Sequence, residues 1–321
     1  MTRPAVLSAV GGAALWGTIG PVASLFTDQE RLASSGIRIA IGACTLFALG
    51  GRPFTRAWRR RDIAPLLAAA IGLAGFQLCY FAAVGVSGVA ISTAVSIGLA
   101  PVLTGLWTAV AGRGRPTGWW FAGTALAVSG LALLMLGGTA GIILSPKGLA
   151  LSTVAAACFS LQAVSIRHLA DRHADTVVLT AMFAIATLVL TPVTIAYASP
   201  SLLTGKALVS LLYLGTITAG VSYWLFAYGI RHLGAPAAIT ISLLEPACAA
   251  AIAALLLGER MTGGQWTGIG LICGAIVLTT ISSTSPEPAA VPIRHRAPVT
   301  HRPDATTPHT ITAPPHQGDP A

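Results

Sequence analysis

Long uninterrupted apolar runs, broken by short polar turns, dominate the chain. They cover residues 5–25, 33–50, 63–84, 88–111, 119–137, 148–166, 176–197, 207–229, 235–257 and 264–282. Each is close to the roughly 20 residues a helix needs to cross a hydrocarbon core about 30 Å thick. Ten transmembrane helices are therefore expected, in an all-α integral membrane protein. After residue 282 the pattern stops. Residues 283–321 hold nine prolines and four histidines with no apolar period, which predicts a disordered cytoplasmic tail.

Composition supports the membrane reading. Charged residues make up 9% of the 321 and hydrophobic ones 54%, where soluble domains carry about a quarter charged. The net charge of +9 does not point to nucleic acid, because its placement follows topology. With the N-terminus inside, fourteen Lys and Arg lie on cytoplasmic segments. Four (Arg31, Lys147, Lys206 and Arg260) lie on the other side, and Arg38 lies within a span. Both termini are thus expected in the cytoplasm. The five cysteines, Cys44, Cys79, Cys158, Cys248 and Cys273, fall inside spans and read as small packing residues.

Sliding the chain against itself by 145 positions exposes an internal repeat. Gly75 falls on Gly220, Phe81 on Phe226, Ala90 on Ala235, Pro101 on Pro246, Thr117 and Gly118 on Thr262 and Gly263, and Gly123 on Gly268. Five is an odd number of crossings, so the second half must enter the membrane from the opposite face. The expected organisation is two inverted five-helix repeats, residues 1–138 and 147–282, followed by the tail at 283–321. Inverted repeats suit alternating access, since each half can adopt the other's conformation.

Few residues carry chemistry. Pro101 and Pro246 sit mid-span at equivalent positions and should kink their helices, freeing carbonyls near Ile97 and Ser242. Glu245 is the only carboxylate in the middle of a span, where charge costs roughly 2.5–3.5 kcal/mol on insertion scales. It must be neutral, paired or hydrated, and it is the natural proton carrier if transport is proton-coupled. Arg38 either snorkels to the interface or faces the pathway. Trp16, Gln77, Tyr80, Gln162, Tyr223, Trp224 and Tyr228 are polar-tipped groups suited to lining a small-molecule cavity. Trp119, Trp120 and Trp266 read as interfacial anchors, and Gly264, Gly268, Gly270 and Gly274 as a helix-packing face. His295, His301, His309 and His316 are too widely spaced to preorganise a metal site. No catalytic residues, metal site or cofactor are expected.

Residues Ile230 to Leu278 carry a small-residue run, the LLEP of Leu243 to Pro246, the LLLGE of Leu255 to Glu259, and Gln265 with Trp266 opening the last helix. That order resembles the second half of EamA-type transporters of the drug/metabolite transporter superfamily. The first half is similar through Leu15 to Gly17, Arg38 and the APV of Ala100 to Val102. It has Ala100 where the second has Glu245, and Gly114 where it has Glu259. The resemblance implies ten helices in two EamA domains, residence in the bacterial cytoplasmic membrane, and a central cavity open alternately to each side. It also makes Glu259 a structural helix-end residue.

The leading expectation is a monomeric exporter of amino acids or related small metabolites, with the lipid bilayer and a small-molecule substrate as its partners. The driving force is open between proton exchange and facilitated diffusion. A multidrug or organic-cation efflux pump is the alternative, with a membrane-embedded enzyme or scaffold as the reading from another class.

Overall fold

The computed structural model describes residues 3–23, 25–52, 58–110, 117–137, 145–256 and 260–282. The tail, its histidines and Glu259 lie outside them. Among the described residues every regular element is helical. Seven segments among the described residues are long and apolar enough to cross a membrane: Arg3–Ala23, Arg60–Val110, Gly118–Leu136, Pro146–Ala170, Asp175–Ala196, Gly205–Leu233 and Ala235–Leu255. Large apolar side chains such as Leu7, Phe47, Leu106, Trp107, Leu188, Ile195 and Val277 stay exposed, a surface suited to lipid. This is a multi-pass membrane protein.

In chain order the helices are α1 (Arg3–Gly17), α2 (Ile19–Ala23), α3 (Asp28–Ala48), α4 (Arg60–Val110), α5 (Gly118–Leu136), α6 (Pro146–Ala170) and α7 (Asp175–Ala196). There follow α8 (Gly205–Tyr213), a π-helical stretch (Leu214–Val221), α9 (Ser222–Leu233), α10 (Ala235–Ser242), α11 (Leu244–Leu256) and α12 (Gly263–Ser282). All lie over the expected apolar runs.

Two of those runs are joined in α4. Its 51 residues would span about 77 Å as one rod, more than twice the hydrocarbon thickness. The helix is broken at Gly88, whose φ of 75° and ψ of 168° are non-helical, so it divides into a first limb (60–87) and a second limb (89–110). The second half turns in the same way between α9 and α10, at Gly234, with φ 84° and ψ 157°. Both bends need positive φ, which only glycine adopts cheaply. Alanine at Gly88 or Gly234 is therefore expected to destabilise by about 1–3 kcal/mol. Gly85→Ala, three residues away in regular helix with open space at its Cβ, should be neutral or mildly stabilising in a denaturation series.

The expected proline kinks fare differently. Ahead of Pro246 the helix is interrupted at Leu243, between α10 and α11. Around Pro101 the backbone keeps helical dihedrals. Nearby, the Ala100 carbonyl accepts hydrogen bonds from Thr104 Oγ1 (2.8 Å) and Ser160 Oγ (2.9 Å).

Packing obeys the 145-residue offset. α1 lies against α9 and α11, while α6, at the equivalent place, lies against α4; α5 pairs with α12 and α3 with α7. The seam between α5 and α12 follows the rule residue by residue. A Cβ on Gly268 would meet Gly130 O at 2.5 Å and Leu134 N at 2.7 Å. One on Gly123 would meet Thr279 Oγ1 at 2.5 Å and Ala275 O at 3.4 Å. Adding 145 to 123, 130 and 134 gives 268, 275 and 279. Of the four glycines of α12 expected to pack, only Gly268 makes this close approach; Gly270 has open space beside it.

The helix starts repeat too. Thr117 Oγ1 accepts from Trp120 N (3.2 Å) at the head of α5, and Thr262 Oγ1 from Gln265 N (3.3 Å) at the head of α12. There the Gln265 side chain returns a bond from Thr262 N (2.9 Å), completing a capping box. Trp119 and Trp266 are exposed as expected of anchors, but Trp120 is buried against Gly105. Cys44 and Cys273 face outward and do not pack inside.

Candidate functional site

Polar groups from several helices meet in the interior. Arg38, on α3, is 9% exposed and donates from Nη2 to Gln77 Oε1 on the first limb of α4 at 2.9 Å. A snorkelling arginine would be solvated at the interface; this one is drawn inward, and its Nε has no partner. Its charge acts on Tyr223, Glu245 and Tyr80, so α3, α4, α9 and α11 contribute to one electrostatic neighbourhood. A buried guanidinium is costly unless compensated, and Glu245 is the acid on hand.

Aromatic rings surround these groups. Trp16, on α1, packs edge-on against Tyr223 at 5.0 Å and lies 4.7 Å from Phe226 and 6.2 Å from Phe159. Its Nε1 donates to Thr218 O in the π-helical stretch at 3.0 Å. Wide turns of this kind recur at functional sites in helices. Tyr80 bonds Thr93 Oγ1 at 2.8 Å, tying the two limbs of α4 together. Gln162, on α6, is 1% exposed, interacts with Tyr223, and leaves its Oε1 without a partner.

α1 approaches α11 closely here because position 17 is glycine. A Cβ on Gly17 would fall 2.9 Å from Glu245 O and 2.6 Å from Cys248 Cβ. Any larger residue would push α1 away from the turn that carries Glu245.

Of the nine proposed lining residues, Trp16, Arg38, Gln77, Tyr80, Gln162, Tyr223 and Glu245 converge. Trp224 and Tyr228 do not. They line a separate pocket of about 550 Å³ with residues 170–176 and Arg231, because a helix carries neighbours of Tyr223 on other faces. Phe76, Phe159, Phe183, Phe226 and Thr218 were not singled out from sequence. Only Phe226 carried a signal, its repeat match to Phe81. Among the described residues no cluster of His, Cys, Asp and Glu is arranged to hold a metal.

The second pocket borders an ionic network at one end of the bundle. Asp62, at the start of α4, is 1% exposed, accepts from Arg172 Nη1 and lies 3.2 Å from His173 Nε2. The His173 ring stacks on Trp58 at 4.4 Å. Arg231, at the end of α9, binds Asp175 (Nε to Oδ1, 2.9 Å), the Ala170 carbonyl and the His173 carbonyl (2.6 Å).

An all-helical, multi-pass chain with a buried polar site made by many helices defines a membrane protein of the transporter class. The model of the EamA-like transporter family matches it twice, over residues 3–136 and 146–281, and the chain belongs to that family. It is 29% identical over 272 residues to the uncharacterized transporter YwfM of Bacillus subtilis, covering 82% of this chain and 90% of that one. It is 25% identical to the threonine/homoserine exporter RhtA of Escherichia coli K12, covering 87% and 92%. A solved crystal structure superposes with a TM-score of 0.76 at 18% identity, over 88% of this chain and 98% of the other, a likeness of fold.

Proposed function

We propose that this transporter exports amino acids or closely related small metabolites by alternating access. The central observation is the convergence of Arg38 and Glu245, from α3 and α11, within an aromatic surround. A zwitterion offers a carboxylate to the unpartnered Arg38 Nε and an ammonium to Glu245 and the unpartnered Gln162 Oε1. RhtA, named for two small amino acids, favours the same substrate class. Trp16 and Tyr223 flank this site, Gln77 steers Arg38, and Tyr80 closes the face toward Thr93.

In this reading ten helices form two inverted five-helix repeats, residues 1–138 and 147–282. The α4 limbs count as two crossings, and α3 and α12 complete the ten. The doubled family match, the 145-residue packing offset and the glycine bends support it. Both termini face the cytoplasm of a bacterial cell, a placement supported by the excess of arginine on those segments. The protein works as a monomer, without nucleic acid or cofactor. Glu245, whose repeat partner is Ala100, is the proton-coupling residue if export runs against proton entry.

The test is export of threonine, homoserine and a panel of other metabolites from cells making wild-type protein or Glu245→Gln, across medium pH. Faster loss of one amino acid with wild-type, abolished together with its pH dependence by the substitution, is the expected result. Resistance to organic cations without amino-acid export would favour the efflux-pump alternative instead. If Glu245→Gln exports normally, the carboxylate is structural.

A further inference from the structure

The Asp62 network ties together several elements at one end of the bundle. Asp62 belongs to the first limb of α4, Arg172 and His173 to the connection after α6, Asp175 to the head of α7, and Arg231 to the end of α9. On the topology proposed above, all face the cytoplasm.

The opposite end offers a comparison within the same molecule. At the 145-residue offset Asp62 corresponds to Ala207, Arg172 to Thr27, Arg231 to Val86 and Asp175 to Glu30. His173 corresponds to Asp28, so two of the five equivalents, Asp28 and Glu30, keep a charge, and both are acidic. Glu30 accepts from Thr27 N (2.8 Å), Thr27 Oγ1 (2.9 Å) and the Ser201 hydroxyl, all in exposed positions. Contacts of that kind exchange readily with water and hold little. At the Asp62 end the carboxylates are the enclosed members, Asp62 at 1% and Asp175 at 10% exposed, while Arg172 and Arg231 stay 29% and 27% exposed. Separating the network would strand a buried carboxylate and a guanidinium that has two backbone carbonyls to itself.

A pair of repeats with identical ends would populate its two open states about equally. We propose that the Asp62–Arg172–His173 and Asp175–Arg231 contacts form a latch on the cytoplasmic end, so that the empty transporter rests closed to the cytoplasm and open toward the outside. The latch rests on the transport reading, and it adds a preferred resting state to it. His168, 3.2 Å from Arg172 Nη2, and Asp171, paired with Arg167 at 2.5 Å, flank it.

The experiment needs no substrate. In a chain with its five cysteines replaced, Tyr80→Cys reports access to the centre when a membrane-impermeant maleimide is applied to right-side-out or inside-out vesicles. The parent is expected to react about tenfold faster from the outer face, and Asp62→Asn to reverse that preference. Arg231→Gln acts on the other half of the latch and should shift labelling the same way, so one poorly folded variant does not decide the matter. If the parent reacts equally from both faces, or if both variants label like the parent, the latch is wrong and transport is untouched. If the parent reacts from neither face, there is no pathway for the latch to close, and the transport reading falls with it.

Discussion

Arg38→Gln is expected to reduce amino-acid flux in reconstituted vesicles by about 30-fold to several thousand-fold, with the protein still inserted and folded. In the proposed complex Arg38 pairs with the substrate carboxylate, and truncating one side of such a buried charge pair costs about 2–5 kcal/mol, at about 1.4 kcal/mol per factor of ten. Two effects combine. The substrate loses its carboxylate partner, and Glu245 loses the cation that makes its own charge tolerable. Because both act through one site, adding Glu245→Gln to Arg38→Gln should cost far less than the sum of the single changes. Arg38→Lys should recover only part of the flux, since an ammonium cannot bond Gln77 and still present a fork to a carboxylate. Initial rates normalised to inserted protein decide it, and unchanged flux in Arg38→Gln would remove Arg38 from the pathway.

The largest structural effect is expected at the seam between α5 and α12. Gly268→Leu must displace backbone, because its Cβ alone would sit 2.5 Å from Gly130 O and 2.7 Å from Leu134 N. Overpacking of this kind costs about 1–3 kcal/mol or more, and in a helix pair held by close approach the loss should appear as a sharply reduced folded yield. The matched change Gly123→Leu should be milder. Its nearest obstacle is the Thr279 hydroxyl, a side-chain group that can turn away. Gly270→Leu, with open space beside it, should leave yield and denaturation midpoint unchanged. Equal losses at 268 and 270 would mean the seam is not where the two helices depend on glycine.

What could be read from the sequence follows from what is local. Hydropathy is summed along one segment, so the apolar runs were legible; Thr117 and Thr262 were met only as a repeat match, and their capping hydrogen bonds came with the structure. The repeat was legible because Gly123 and Gly268 are constrained by the same seam. Facing was not legible. In helices apolar all round, nothing in the pattern separates Tyr223, turned to the centre, from Trp224, turned outward. Arg38 was left between two roles because the choice depends on Gln77, thirty-nine positions away. The Asp62 network went unseen for the same reason: its members sit near span ends, where charges are ordinary. Pro101 and Gly88 invert the usual expectation, because the glycine breaks the backbone dihedrals and the proline does not.

The two glycine bends, finally, set the mechanics. On the inverted topology proposed above, Gly88 joins the limbs of α4 at one surface of the membrane and Gly234 joins α9 to α10 at the other. Each pair of helices is therefore a pair of tweezers sprung at one end, and the two point in opposite directions. Where one pair is pinched by its spring, the other has its free tips, so spreading either pair admits solute from a single side only.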